Sequence, residues 1–217
     1  RLLTPGPTDV PAAVLNEMAK PIIHHRTKAF EGIFAEATAG MKTIFRTAQD
    51  VLTIGGSGTA GMEAAIGCAA RRDRKTLVVN SGKFGERWVK IAKVYGCDVE
   101  ELTIEWGSAV SPAVIGEKVA TGEYGTIVLV HSETSTATAC DLQAIAAITR
   151  DADTLLIVDA ITSCGTMPLE MDAWGVDIVA TGSQKAFMLP PGLAMLAVSD
   201  KAWAVIDTIP APTLYLD

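Results

Sequence analysis

An α/β fold, built on a mostly parallel sheet flanked by helices, is predicted by three features of the sequence. Apolar runs of strand length alternate with stretches of helical periodicity along almost the whole chain. Two of those runs, IVLV and LLIV, are continuously apolar, the pattern of strands covered on both faces. No linker, repeat or low-complexity segment interrupts the alternation.

The elements follow in order. The opening stretch LLTPGPTDVPAAV is proline-rich and reads as an extended lead-in. Residues 1–20 are assigned to this arm and the start of a first helix, and residues 21–217 to one large domain. Phe30, Ile33, Phe34, Ala37, Met41, Ile44 and Phe45 recur at helical spacing and predict an amphipathic helix. Next come a strand at Val51–Ile54, a helix at Met62–Ala70, a strand at Thr76–Asn80 and a helix at Phe84–Tyr95. A strand at Val99–Glu105, a helix at Pro112–Ala120, a strand at Thr126–His131 and a helix at Asp141–Thr149 continue the pattern. Strands at Thr154–Asp159, Asp177–Ala180 and Leu193–Val198 complete a sheet of seven. The chain stops at TLYLD without a charged tail, and it is expected to be part of a longer protein.

Composition narrows the function classes. With 49% hydrophobic and 20% charged residues over 217 positions, the chain can bury a sizeable core. A formal charge of -7 without cationic clusters argues against a nucleic-acid surface, which needs grouped Lys and Arg. The densest basic stretch, Arg71 to Lys75, reads as a solvated turn. Cys68, Cys97, Cys140 and Cys164 are dispersed without a C-x-x-C pair, and none of the three histidines stands at metal-ligand spacing from them. A reduced cytoplasmic compartment and no metal are expected. No apolar run approaches bilayer-spanning length, so no membrane partner is expected.

Two strand ends carry the chemistry. The strand TLLIVD ends in Asp159, and the strand DIVATG runs into the polar loop Ser183-Gln184-Lys185. In a parallel sheet both point out at the carboxyl edge, where α/β proteins hold ligands. A lysine and a carboxylate directed at one ligand meet the needs of pyridoxal phosphate. The lysine forms a Schiff base, and the acid keeps the pyridine nitrogen protonated. Taken singly, a strand-end Asp is often a cap and a lone Lys is often solvated.

A glycine loop, Gly55-Gly56-Ser57-Gly58-Thr59-Ala60-Gly61, lies between the strand VLTI and the helix MEAAIGCAA. Its backbone N–H groups and the hydroxyls of Ser57 and Thr59 can hold a phosphate. Gly56–Gly61 also matches G-x-G-x-x-G, which leaves an NAD(P)-dependent oxidoreductase open. Against that, the next strand ends in Asn80 where a dinucleotide site needs an acid, and about 50 residues precede the loop. A plain strand-to-helix turn is the third reading.

Segments along nearly the whole chain carry a family resemblance: LLTPGPTDVP, HHRTKAF, GGSGTAGMEAA, NSGKFGERW, ETSTATACDL, IVDAITS and TGSQKAFMLPPG. The chain resembles the class V aminotransferases of fold-type I, most closely the alanine–glyoxylate and serine–pyruvate (serine–glyoxylate) enzymes. The resemblance implies the large, pyridoxal phosphate-binding domain of a homodimer with shared active sites. It makes Lys185 the Schiff-base lysine and proton carrier, and Asp159 the partner of the pyridinium nitrogen. It sets Ile161 and Phe84 on the two faces of the ring, and Thr134 at the ring oxygen. Ser57, Gly58, Thr59 and Gln184 become phosphate ligands, and Thr4–Thr8 line the substrate pocket. His24, His25 and His131 stay structural, and Arg26 takes no catalytic role.

The resemblance also implies a C-terminal small domain with an arginine for the substrate carboxylate, which no residue here matches. Transamination between alanine or serine and glyoxylate or pyruvate is the expected reaction, with ping-pong kinetics. The rivals are a 2-aminoethylphosphonate–pyruvate transaminase, a desulfurase-like lyase, the oxidoreductase above, and a fragment that keeps the fold without turnover.

Overall fold

A computed structural model describes residues 2–216. Two helices come first, α1 (Ala12–Met18) and α2 (Lys28–Phe45). Strand β1 (Asp50–Gly55) leads into α3 (Gly58–Ala69), and β2 (Lys75–Asn80) into α4 (Lys83–Val94). Strand β3 (Val99–Thr103), helix α5 (Pro112–Ala120) and strand β4 (Tyr124–Val130) follow. A two-stranded hairpin, β5 (Ser132–Glu133) and β6 (Thr138–Ala139), precedes α6 (Leu142–Thr149) and β7 (Leu155–Asp159). Short α7 (Met171–Trp174), β8 (Ile178–Gly182), β9 (Leu193–Val198) and α8 (Asp200–Ile206) complete the chain.

The seven long strands form one sheet in the order β1-β9-β8-β7-β4-β2-β3. Five of them, β3, β2, β4, β7 and β8, run parallel. Strand β9 runs antiparallel to both β8 and β1. The apolar pattern anticipates the strands but not this reversal, because a continuous apolar run looks the same in either direction. Burial on both faces is visible along β4: Ile127 and Leu129 enter one core cluster, Val128 and Val130 the other. Leu156 and Val158 of β7 join the first cluster, Leu155 and Ile157 the second.

Local chemistry starts several helices. Thr27 accepts from the Phe30 N–H at the head of α2, Asp141 from Ala144 at α6, and Ser199 from Ala202 at α8. Each satisfies a backbone donor that the first helical turn cannot. Helix α3 begins at Gly58, four residues before the helix predicted from its apolar pattern, so the glycine loop shortens to a turn over residues 55–57. Helix α2 buries Phe45 and tucks Met41 against the core. Toward its start Ile33 and Phe34 stay exposed, so the apolar face predicted there is only partly covered. The Arg71–Lys75 turn is braced as well as solvated. Arg71 and Arg74 each bond the exposed carboxylate of Asp153 at 2.8 Å.

The register sets the functional edge. Val130 pairs with Asp159, and Asp159 with Ala180, so β4, β7 and β8 end side by side. Helix α4 seats against β2 at a close approach: a Cβ at Gly85 would lie 2.7 Å from Asn80 Cα and 3.0 Å from the Val79 oxygen. Those contacts are backbone and cannot rotate away. Gly85→Ala is therefore expected to destabilise the fold by about 3 kcal/mol through overpacking, read as a lower urea midpoint at unchanged slope.

Candidate active site

Asp159 closes β7 and is buried to 3% exposure. Its Oδ1 accepts the Ile161 N–H at 3.0 Å, and its Oδ2 accepts the indole N–H of Trp88 at 2.9 Å. Burial pushes the carboxyl up to about 6, against the pull of those two donors; Glu133 adds to the rise and Arg87 opposes it. The group is thus an acid that titrates near neutrality at the carboxyl edge of the sheet.

Lys185 lies in the turn between β8 and β9, half-buried. Burial lowers its amine from the ordinary lysine value, and the charge of Asp159 works in the opposite direction. The loop is braced internally: Met188 N donates to the Lys185 carbonyl at 2.9 Å, and Ser183 Oγ to the Pro190 carbonyl at 2.7 Å. The N-terminal arm closes over it. Thr8 donates from its backbone N–H to the Gln184 carbonyl at 3.1 Å and from its hydroxyl to the Lys185 carbonyl at 2.9 Å. A Cβ at Gly6 would meet Lys185 Cδ at 2.5 Å and Nζ at 2.7 Å, so the arm runs directly along the lysine side chain.

The phosphate-loop candidates stand nearby. Ser57 precedes α3 in extended conformation with its hydroxyl uncommitted to the cap, and Gly58 and Thr59 begin the helix. A Cβ at Gly58 would come within 2.5 Å of Ile161 Cδ1, which ties this helix start to the loop that follows Asp159. The Thr59 hydroxyl accepts from Arg87 Nη1 at 3.3 Å, and the same guanidinium lies 5.2 Å over the Phe84 ring. Thr134 and Thr162 share a hydroxyl–hydroxyl bond of 2.7 Å. The side-chain oxygen of Gln184 is buried without a partner among the described residues.

Three residues escape the sequence reading. Trp88 is fully buried and carries the donor to Asp159. Its signal is the i, i+4 spacing from Phe84, which sets both aromatics on one side of an amphipathic helix. Glu133 is 1% exposed; its Oε2 accepts the N–H groups of Phe84 and Gly85 at 3.1 Å each, and its Oε1 accepts the Ser135 hydroxyl at 2.6 Å. A carboxylate at the start of α4 also suits the positive end of the helix dipole. Thr162 is the third. His131 is buried with Nδ1 unpartnered among the described residues, and burial pushes its imidazole down to about 4. Among the described residues no His, Cys, Asp and Glu cluster could hold a metal, and no helix is long and apolar enough to cross a membrane.

The edge therefore offers an acid near neutrality, an amine held below its usual pKa and an open helix N-terminus. That set fits a phosphorylated aromatic amine acceptor such as pyridoxal phosphate. An apolar cavity of about 790 Å³, lined by Leu52, Ile54, Cys68, Trp203, Ile206 and Tyr215 among others, lies apart from these residues.

The model of the family "Aminotransferase class-V" matches residues 2–209. The chain is 41% identical to the "Soluble hydrogenase 42 kDa subunit" of Anabaena cylindrica, covering 100% of the chain and 57% of that protein. It is 36% identical to the L-aspartate–glyoxylate aminotransferase of Paracoccus denitrificans, over 100% of the chain and 56% of that enzyme. Among solved structures, the alanine–glyoxylate aminotransferase of Nostoc sp. superposes with a TM-score of 0.95 at 32% identity, over 99% of this chain and 58% of that one. The chain thus spans a little over half the length of the curated relatives it matches.

The raised carboxyl has a thermodynamic signature. A folded-state value of about 6 against 3.8 for the free group means that Asp159 favours folding at low pH. That contribution disappears as the pH rises through 6. In cofactor-free protein, the stability of Asp159→Asn relative to wild type should improve by about 2 kcal/mol between pH 4 and pH 7. Paired denaturant titrations at the two pH values measure it; an unchanged difference would mean that Asp159 ionises as a free carboxyl does.

Proposed function

The chain belongs to the class V aminotransferase family, and from that premise we propose that it supplies the cofactor half of a pyridoxal phosphate-dependent transaminase site. The family implies that cofactor, and the fit of the carboxyl edge supports its use here. The observation that carries the reading is Asp159, buried at the end of β7 beside the loop of Lys185 and electrostatically coupled to that amine.

When bound, pyridoxal phosphate supplies an electron sink for the charge that develops at the α-carbon of an amino donor. In this reading Ser57, Gly58, Thr59 and Gln184 bind the phosphate through hydroxyls, the open α3 N-terminus and the amide. Asp159 orients the ring nitrogen and keeps its proton in place. Ile161 and Phe84 flank the ring, and Thr134 donates at the ring oxygen. Lys185 Nζ is the covalent anchor, and it carries the proton away from the donor's α-carbon. The direction of the shift suits this task, because burial favours the neutral amine, which is the form that accepts a proton. The arm at Gly6 narrows the space along Lys185 and favours a small substrate.

For the whole protein we infer transfer of an amino group from a small amino acid, alanine or serine, to glyoxylate or pyruvate in a ping-pong cycle. Relatives named for glyoxylate transamination support the acceptor. A homodimer with shared active sites, cytoplasmic location, an arm over residues 1–20 and a cofactor domain over 21–217 complete the proposal.

Borohydride reduction of the full-length protein with pyridoxal phosphate, followed by peptide mapping, tests the assignment. Label is expected at Lys185, and Lys185→Ala should lower turnover at least a thousandfold while phosphate-dependent cofactor association persists. Label at another lysine would overturn it. In a donor panel, alanine or serine should bleach the visible cofactor band; response to 2-aminoethylphosphonate alone would replace the substrate assignment.

A further inference from the structure

Trp88 is the residue whose chemistry the reading above does not use. It sits on α4, 71 positions before Asp159, and it is fully buried in the core cluster that includes Val128 and Ile157. Packing alone asks for apolar area at this position, and a phenyl ring would supply it. What an indole adds is one donor, and here that donor points at Asp159 Oδ2 from 2.9 Å.

The two bonds to the Asp159 carboxylate differ in kind. The Ile161 N–H at Oδ1 comes from two residues along the same loop, so it follows the carboxylate wherever the loop goes. The Trp88 bond comes from a different element and fixes the carboxylate against the rest of the fold. With one lone pair engaged on each oxygen, the carboxylate keeps acceptor capacity for a further N–H. Its other charged neighbours are Glu133 from β5, Arg87 from α4 and Lys185 from the loop after β8; His131 adjoins it through a backbone bond.

We propose that Trp88 is a positioning residue whose indole N–H holds the Asp159 carboxylate ionised and fixed in orientation for the ring nitrogen of the cofactor. A donor to the ionised form favours that form, and a buried carboxylate that loses it protonates more readily. A protonated carboxyl cannot form an ion pair with a protonated pyridine. The proposal rests on the transaminase reading, and its first readout is independent of that reading.

Trp88→Phe and a variant carrying benzothienylalanine at position 88, which keeps the indole shape without the N–H, are compared with wild type in the full-length protein. The Asp159 carboxyl is followed by infrared or carbon NMR titration without cofactor, with Asp159→Asn to identify the signal. Both replacements should raise the titration midpoint by about one unit, the size of one charge-assisted hydrogen bond. With cofactor, affinity for pyridoxal phosphate should fall about threefold near pH 6.5, the ratio to wild type approaching tenfold below pH 6 and narrowing as pH rises and both carboxyls ionise. In the Asp159→Asn background Trp88→Phe should change affinity no further. An unmoved midpoint in the benzothienyl variant, or a loss equal at every pH and equal in that background, overturns the proposal. If wild type itself fails to bind pyridoxal phosphate, the transaminase reading fails, while the midpoint still reports on the Trp88 bond.

Discussion

Helix α4 can lie against β2 only because position 85 has no side chain, and most of the site depends on that approach. The backbone of Asn80 and Val79 occupies the space that a Cβ would need. From this seat Arg87 lies over the Phe84 ring and reaches Thr59, and Trp88 reaches Asp159. Glu133 fastens the same end of the helix by taking the Phe84 and Gly85 N–H groups. A buried carboxylate would be costly if left bare; here its two oxygens accept bonds from Phe84, Gly85 and Ser135, so it is retained as a clamp. One helix, held by a glycine and an acid, thus directs side chains to the start of α3 and to the end of β7.

The electrostatics of Asp159 set function against stability. A carboxylate with a preferred protonation near pH 6 opposes folding at neutral pH, and nothing in the fold alone requires it there. Two N–H donors and the pull of Arg87 recover part of the cost, while Glu133 adds to it. A cationic ligand nitrogen would recover more, since opposite charge favours the ionised form. In the proposed reading a bound pyridinium would relieve that cost, and cofactor affinity and folding stability would be linked through one group.

Much of this was legible in the sequence because strand ends and loops are local features. The apolar runs located all seven long strands, and the structure brings the ends of β7 and β8, which carry Asp159 and lead to Lys185, to one edge as expected. The direction of β9 was not legible, since LAMLAV reads the same for parallel or antiparallel pairing. Neither was Trp88, because its partner lies 71 residues away and an aromatic on an amphipathic helix reads as core. Glu133 stood beside Thr134 in a motif read for its hydroxyls, and its value comes from a helix start 48 residues earlier. The exposed face of α2 illustrates the opposite error. Its periodicity correctly gave a helix, but periodicity cannot say which molecule covers the stripe.

The reversal at β9 has a mechanical consequence for Lys185. An antiparallel β8–β9 pair returns the chain at once, so the lysine loop is anchored at both ends by ladder bonds, including Ser183 N to the Leu193 carbonyl at 2.9 Å. A parallel partner would have required a long crossover and a freer loop. The Ser183 hydroxyl bridges the loop to Pro190, and Thr8 of the arm clasps the carbonyls of Gln184 and Lys185 from outside. The backbone under Lys185 is thereby fixed while its side chain remains half-buried and long. Such a division would suit the covalent and proton-transfer roles proposed for this amine, since the motion they need is confined to side-chain torsions and costs no rearrangement of the sheet.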